Sequence, residues 1–421
     1  MSGEPRGVPS NPAADARRIT RTLFFVQSLG SAAAISIFPV FPILGAELTG
    51  RQALAGIPAT VSLLGQALSA FGWGYAMDRL GRRPSLILGM IIGILASLLA
   101  AGGAVLKSFA LLLAGSTLIG MSASVLALAR FVAAEVHPPE QRARAISGVV
   151  LGGTIGAVIG PLLAGSSARF ARQGLIDELV APFVVSLLLA AMAAVALFIW
   201  LRPEPRELAQ ASNLRDFDTT PANGPARGIV EILREPPAMV AVTSMVFGQM
   251  VMAMLMVITS LHMRNNDHSL TSISFVISSH VVGMYAFSVI SGRLADRWGR
   301  GPVIMAGAAI LILATLTAPL SPQVVPLTVA LFLLGLGWNF CYVAGSTLLA
   351  DQLSPSERAR TQGFNDLLIG LASAVGSLGS GLVFAAIGFG AMGIVGAAAA
   401  LIPLAMAAWW QTRQRAIAMA R

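Results

Sequence analysis

The chain is predicted to be an all-α membrane protein whose twelve transmembrane helices form two pseudo-symmetric six-helix bundles. Three observations lead there. Of 421 residues, 56% are apolar and only 11% charged, too few for the polar surface of a soluble domain. Twelve mostly apolar stretches are each long enough, at ~1.5 Å per residue, to cross a hydrocarbon core of ~30 Å. Residues 74–84 (Gly-Tyr-Ala-Met-Asp-Arg-Leu-Gly-Arg-Arg-Pro) and 292–302 (Gly-Arg-Leu-Ala-Asp-Arg-Trp-Gly-Arg-Gly-Pro) share the pattern Gly-x-x-x-Asp-Arg-x-Gly-Arg-x-Pro, which marks a tandem duplication.

In chain order, residues 1–21 form a tail with Pro5, Pro9, Pro12, Arg17 and Arg18, without the apolar core or cleavage site of a signal peptide. The first bundle, 22–201, holds spans predicted at 22–46, 54–77, 84–106, 108–134, 143–168 and 180–201. Residues 202–236 read as a polar linker, rich in proline and in charges of both signs. The second bundle, 237–410, holds spans at 237–262, 270–293, 302–320, 324–349, 363–387 and 389–410, and residues 411–421 form a second tail. A further echo supports the duplication: Glu135-x-x-x-Pro139-x-x-Arg142-x-Arg144 recurs as Asp351-x-x-x-Pro355-x-x-Arg358-x-Arg360. Six spans return the chain to its starting side, so the halves run parallel.

A formal charge of +9 raises the question of nucleic acid, but the positions of the charges answer it. Of 28 Lys and Arg, 22 lie in the tails and in the loops after spans 2, 4, 6, 8 and 10. This is the positive-inside pattern, and it places both termini in the cytoplasm. No nucleic-acid partner is expected, and the bilayer, expected to be a bacterial plasma membrane, accounts for the basic balance. Cys341 stands alone within a span, which rules out an intramolecular disulfide. His137, His262 and His268 are isolated, and no metal-ligand spacing, phosphate loop or nucleophile triad stands out. No cofactor, metal or enzymatic activity is expected; the short loops leave function between the helices.

The duplicated loop, placed twice in register in a chain of two sets of six spans, closely resembles the signature of the major facilitator superfamily of secondary transporters. The resemblance implies a conformational latch carried by Gly74, Asp78, Arg79, Gly81, Arg82 and Glu135 in the first half, and by Gly292, Asp296, Arg297, Gly299, Arg300 and Asp351 in the second. Independently of the family, Asp78 suits the positive N-terminal end of a neighbouring helix such as span 11, and Arg79, Arg82 and Arg83 suit acids such as Glu135. In span 5, Gly148, Gly152, Gly156 and Gly160 repeat every four residues on one helix face. Gly156-x-x-x-Gly160-Pro161 resembles the motif of the antiporter branches, where it implies a kink at the interface between bundles; a plain small-residue packing ridge is the alternative. Pro39-Val40-Phe41-Pro42 looks like an element of the drug–proton antiporters. Span 4 departs from that branch, with Ser116 where an Arg is frequent.

Substrate-cavity candidates are Gln27, Gln66, Gln249, Trp338, Asn339 and Tyr342. Trp338 and Tyr342 share a helix face. Met245, Met250, Met252, Met254 and Met256 make span 7 a polarizable surface, with about half of them expected to face lipid. Candidates for proton coupling are Arg130, His280 and Asp366. Arg130 also reads as a snorkelling residue, His280 as a buried structural histidine, and Asp366 as an acid in the first turn of span 11. No acid falls near mid-membrane, and a neutral or lipophilic substrate is favoured. The expected function is a monomeric secondary transporter exporting a small apolar or amphiphilic compound, with protons as the candidate coupling ion. An importer of a small metabolite and a non-transporting membrane sensor are the alternatives.

Overall fold

The computed structural model describes residues 12–171, 173–174, 176–211 and 227–419, and its regular elements are all helical. Helix α1 (Pro12–Ser36) begins within the predicted tail and stops ahead of Pro39. That residue has no N–H, and its ring would clash with the preceding turn of a continuing helix. The first span resumes as α2 (Phe41–Thr49), with Pro42 in its first turn, where a missing N–H costs nothing. Then come α3 (Ile57–Leu80), α4 (Arg82–Val105), α5 (Phe109–Ala127) with α6 (Ala129–Glu135), α7 (Pro139–Ala171) and α8 (Ala181–Trp200). The linker keeps a helical piece at each end, α9 (Pro205–Ala211) and α10 (Ile229–Leu233). The second half comprises α11 (Pro236–Asn265), α12 (Leu270–Tyr285) with α13 (Ser288–Trp298), α14 (Arg300–Thr317), α15 (Val324–Asp351) and α16 (Pro355–Met419).

Among the described residues, eleven stretches are long and apolar enough to cross a membrane. The last, Arg360–Gln414, has 55 residues, more than twice the ~20 that a bilayer needs. It turns at Gly388, the point in α16 where the backbone leaves helical geometry, so two spans meet there and the total is twelve. That break falls between the spans predicted at 363–387 and 389–410. The start of α16 lies well before 363, because Ser354-Pro355-Ser356-Glu357 builds a capping box. Glu357 Oε2 accepts from Ser354 N at 3.0 Å, and Pro355 opens the helix. Asp366 is therefore about three turns inside the helix, which corrects the expectation of a first-turn acid.

The chain divides into two compact units, Met1–Ile37 with Leu64–Thr220, and Phe38–Leu63 with Pro221–Arg421. In the first, α1 packs along α7 and α8, and α4 along α5 and α8. A Cβ on Gly152, Gly156 or Gly160 would fall 2.5, 2.0 and 2.7 Å from the carbonyl oxygens of Phe24, Ser28 and Ala32. Two four-residue rows thus meet backbone to backbone, and the small-residue ridge of α7 is a seam with the first span. Pro161 is buried in α7, which runs on through it.

In the second unit, α11 packs along α15 and α16, α12 along α15, and α14 between α15 and α16. Helix α2 docks on α11, and Ser377 Oγ donates to Gly56 O at 3.1 Å. Enclosed in this way, α11 buries Met245, Met252, Met254 and Met256, contrary to the expectation that alternate methionines face lipid.

Candidate functional site

The first duplicated loop is a tight corner between α3 and α4. Gly81 sits there at φ 102°, ψ 166°, and Gly299 in the second copy at φ 90°, ψ 158°, a region open essentially to glycine alone. The second glycine of the pattern is thus dictated by the backbone. Gly74 and Gly292 lie inside helices, and a Cβ there would meet nothing within 4 Å.

Around the first corner, Arg82 joins both predicted acids. Its Nη1 donates to Asp78 Oδ1 at 2.8 Å, while Nε and Nη2 donate to Glu135 Oε2 and Oε1 at 3.0 and 2.8 Å. This two-pronged pairing is the strong form of a guanidinium–carboxylate contact. Glu204, from the linker, accepts from Arg82 N at 2.6 Å and Arg83 N at 3.2 Å. A carboxylate at the start of α4 satisfies N–H groups without partners in the helix and complements the helix dipole. Arg206 Nη1 donates to Asp78 O at 2.5 Å, so the linker also fastens the end of α3. The neighbouring arginines do not join Glu135: Arg79 lies 4.4 Å over the Tyr75 ring, and Arg83 Nη2 donates to Phe198 O at 2.7 Å.

The second copy repeats the arrangement in weaker form. Arg300 Nε donates to Asp351 Oδ2 at 3.1 Å, Nη2 lies 3.6 Å from Asp296, and Nη1 donates to Ala295 O at 3.2 Å. Arg297 is exposed beside it. The far end of the linker is held one loop further on. Arg227 reaches Glu357 through Nε at 2.9 Å and Nη2 at 2.8 Å, Glu235 at 2.5 Å and Gln352 O at 2.7 Å, while Arg360 donates to Arg227 O. The Arg227 guanidinium, with help from the Ser354 N–H, holds the Glu357 carboxyl well below the usual carboxylate range.

Three of the predicted cavity residues come together, all in the second unit. Gln249 accepts from Trp338 Nε1 at 2.7 Å and donates to Ser373 Oγ at 3.1 Å. Trp338 stacks on Tyr342 with ring centroids 4.8 Å apart and meets Tyr285 edge-on at 6.1 Å. Tyr285 and Ser373 are the members that the sequence reading missed; Tyr285 lies on α12 and no spacing pattern ties it to α15. Asn339 does not belong to this group. One residue on from Trp338, it turns ~100° away on the helix and donates to Met284 O at 2.6 Å and Ser288 Oγ at 2.9 Å, where α12 breaks into α13. In the first unit, Gln27 lies against Gly153 and Ser31. Gln66 is half-buried on α3.

The three coupling candidates differ in their surroundings. His280 is fully buried, with Nδ1 2.9 Å from Leu331 O and no partner for Nε2 among the described residues. Arg130 is exposed and lies 4.8 Å over Phe131, and Asp366 is exposed on α16. Among the described residues no group of His, Cys, Asp or Glu is arranged to hold a metal.

The chain is similar to transporters over most of its length. The sequence model of the Major Facilitator Superfamily matches residues 23–265 and 241–418. The MFS-type transporter YdeG of Bacillus subtilis is 32% identical over 412 residues, covering 96% of this chain and 95% of its own. The riboflavin transporter RfnT of Brucella anthropi is 28% identical over 358 residues, covering 85% of this chain and 86% of its own. The solved structure of the nucleoside transporter NupG superposes with a TM-score of 0.69 at 17% identity, covering 94% of this chain and 98% of its own, a likeness of fold. Twelve spans, a twice-built Arg corner and these relatives together show that the chain belongs to the major facilitator superfamily of secondary transporters.

Proposed function

We propose that this transporter exports a small, uncharged, apolar or amphiphilic compound with a planar aromatic portion, from a cytoplasm that lies on its Arg-rich face. The observation that carries the reading is the wall of Tyr285, Trp338 and Tyr342, with Gln249 and Ser373 beside the rings. Each ring offers an aromatic ligand a stacking or edge contact of about 0.5–1.5 kcal/mol, and the amide and hydroxyl offer neutral hydrogen bonds. The wall carries no formal charge, so a charged solute would enter it without a counter-ion, at a desolvation cost. Transport is by alternating access, with the two Arg corners opening and reforming as the halves move. Proton antiport is the proposed coupling, with His280, Arg130 and Asp366 as candidates.

Everted membrane vesicles supplied with a fluorescent planar amphiphile are expected to accumulate it when a pH gradient is imposed, and W338A to lower uptake about ten-fold at equal protein level. Uptake indifferent to the gradient removes antiport; uptake indifferent to W338A removes the aromatic wall as the site. A second reading is import of a small metabolite; the similarity to the riboflavin transporter RfnT supports a metabolite as the substrate, and the direction is part of this reading. Growth-dependent uptake by intact cells, with none by everted vesicles, selects it. A non-transporting sensor would keep its output in D78N, whereas a transporter loses flux.

A further inference from the structure

We propose that the start of α1 forms a binding site for the headgroup of an anionic phospholipid in the leaflet at the Arg-rich face. Four arginines gather where α1, α7 and the end of α8 meet, and they are used in different ways. Arg18 is engaged, 2.9 Å from Asp15 and donating to the backbone carbonyl of Arg202. Arg17 and Arg21 are one turn apart on the same helix and exposed; with Arg144 of α7 they make no hydrogen bond, ion pair or ring contact among the described residues.

Two recesses flank the Arg17–Arg21 pair. One, of about 570 Å³, is shared with Arg144 and has a polar floor of Thr20 and His137, whose Nε2 and Oγ1 lie 2.8 Å apart. Burial lowers the His137 pKa, which favours the neutral ring beside the guanidiniums. The other, of about 650 Å³, runs from Arg17 and Arg21 to Phe25 and Trp200. Those rings meet edge-on at 6.1 Å and stay 40% and 50% exposed, which leaves an apolar shelf one turn into the membrane from the charges.

Topology alone asks for positive charge on this face, and scattered arginines would supply it. It does not ask for three guanidiniums around one concavity that, among the described residues, no carboxylate lines, an arrangement in which like charges repel until an anion enters. Nor does it ask for aromatic rings beside them. A phosphodiester oxygen pair suits the planar fork of Arg17 or Arg21, and the Phe25–Trp200 shelf suits the first methylenes of an acyl chain. Free phosphate would use the charges and leave the shelf idle, so the lipid is the fitting ligand.

Native mass spectrometry of the purified full-length transporter, exchanged against mixed micelles of phosphatidylglycerol and phosphatidylcholine, tests this. The wild type is expected to retain phosphatidylglycerol selectively, and R17A/R21A to lose that preference by about twenty-five-fold, at about five-fold per guanidinium. R234A/R413A, which removes two arginines elsewhere, is expected to keep it. F25A/W200A is expected to weaken lipid retention, and millimolar inorganic phosphate to leave it unchanged. Unchanged retention by R17A/R21A, equal loss in R234A/R413A, or displacement by inorganic phosphate with no effect of F25A/W200A would each overturn the proposal. Circular dichroism and gel-filtration profiles matching the wild type confirm that the variants compared are folded.

Discussion

The two duplicated corners share their pattern and their glycine geometry, yet they are not equally strong. Arg82 grips Glu135 with two nitrogens and is 14% exposed; Arg300 reaches Asp351 with one hydrogen bond and is 27% exposed. The side chain at the third position explains part of this, since Glu is one methylene longer than Asp and spans the guanidinium fork. The linker explains the rest. Glu204 and Arg206 close the first corner from outside it, whereas Arg227 grips Glu357 and leaves the second corner alone. Duplication supplied two similar corners, and the connecting segment braces the first. On the proposed cycle, in which both corners open and reform, the first is the costlier to open and the second the easier.

The largest test of that comparison is R82A against R300A. Removing Arg82 leaves Glu135 and Asp78 facing each other with their charge-assisted bonds lost, an expected cost of about 2–3 kcal/mol in unfolding free energy. R300A, at a more exposed and singly bonded site, is expected to cost about 1 kcal/mol or less. Denaturant titration of the purified proteins in detergent measures both, and equal losses would remove the asymmetry. Next comes E204A, which strips a carboxylate from the start of α4 and is expected to cost about 1 kcal/mol, in the range of a helix N-cap. Among the described residues no side chain accepts from the first N–H groups of α14, so the second corner offers nothing equivalent to lose.

The linker's other attachment is tested through pH. Glu357 is held below the usual carboxylate range in the folded protein, so its contribution is fully present above the unfolded-state pKa of about 4.3. It is lost only as pH falls through the lower folded value. The melting temperature of E357Q is therefore expected to lie below that of the wild type by a constant interval from pH 8 to about pH 5. Below about pH 4 the interval narrows. A gap that already closes between pH 7 and 6 would show that Glu357 is not the group held by Arg227.

Much of this was legible beforehand where a pattern was local or repeated. The Asp78–Arg82–Glu135 set stands in the sequence as an Asp and an Arg four apart plus an acid at the same position of both echoes, and the break near Gly388 follows from span length alone. What stayed hidden depends on which distant segment arrives. Glu204 is an ordinary linker acid until the chain folds back to cap α4, and the small-residue face of α7 does not announce α1 as its partner. Asn339 was misplaced because composition cannot separate two adjacent helical positions that point ~100° apart. The start of α16 was readable: Ser354-Pro355-Ser356-Glu357 carries both a capping box and a first-turn proline.

The smallest effect would sharpen the comparison most. If side-chain length at the third position sets the grip, D351E lets both oxygens reach the Arg300 fork as Glu135 reaches Arg82, and E135D removes one contact from the first corner. The gain from D351E is expected to be about 0.5 kcal/mol, because an exposed pair loses side-chain entropy as it forms. The loss from E135D is expected to be near 1 kcal/mol, since that corner is less exposed and a released nitrogen is left without its partner. In transport, a firmer second corner slows its own opening, so D351E is expected to lower flux slightly while raising stability. A D351E protein that is stabilised with unchanged flux would mean that the second corner does not open during the cycle, and the proposal that both corners open and reform would then fall.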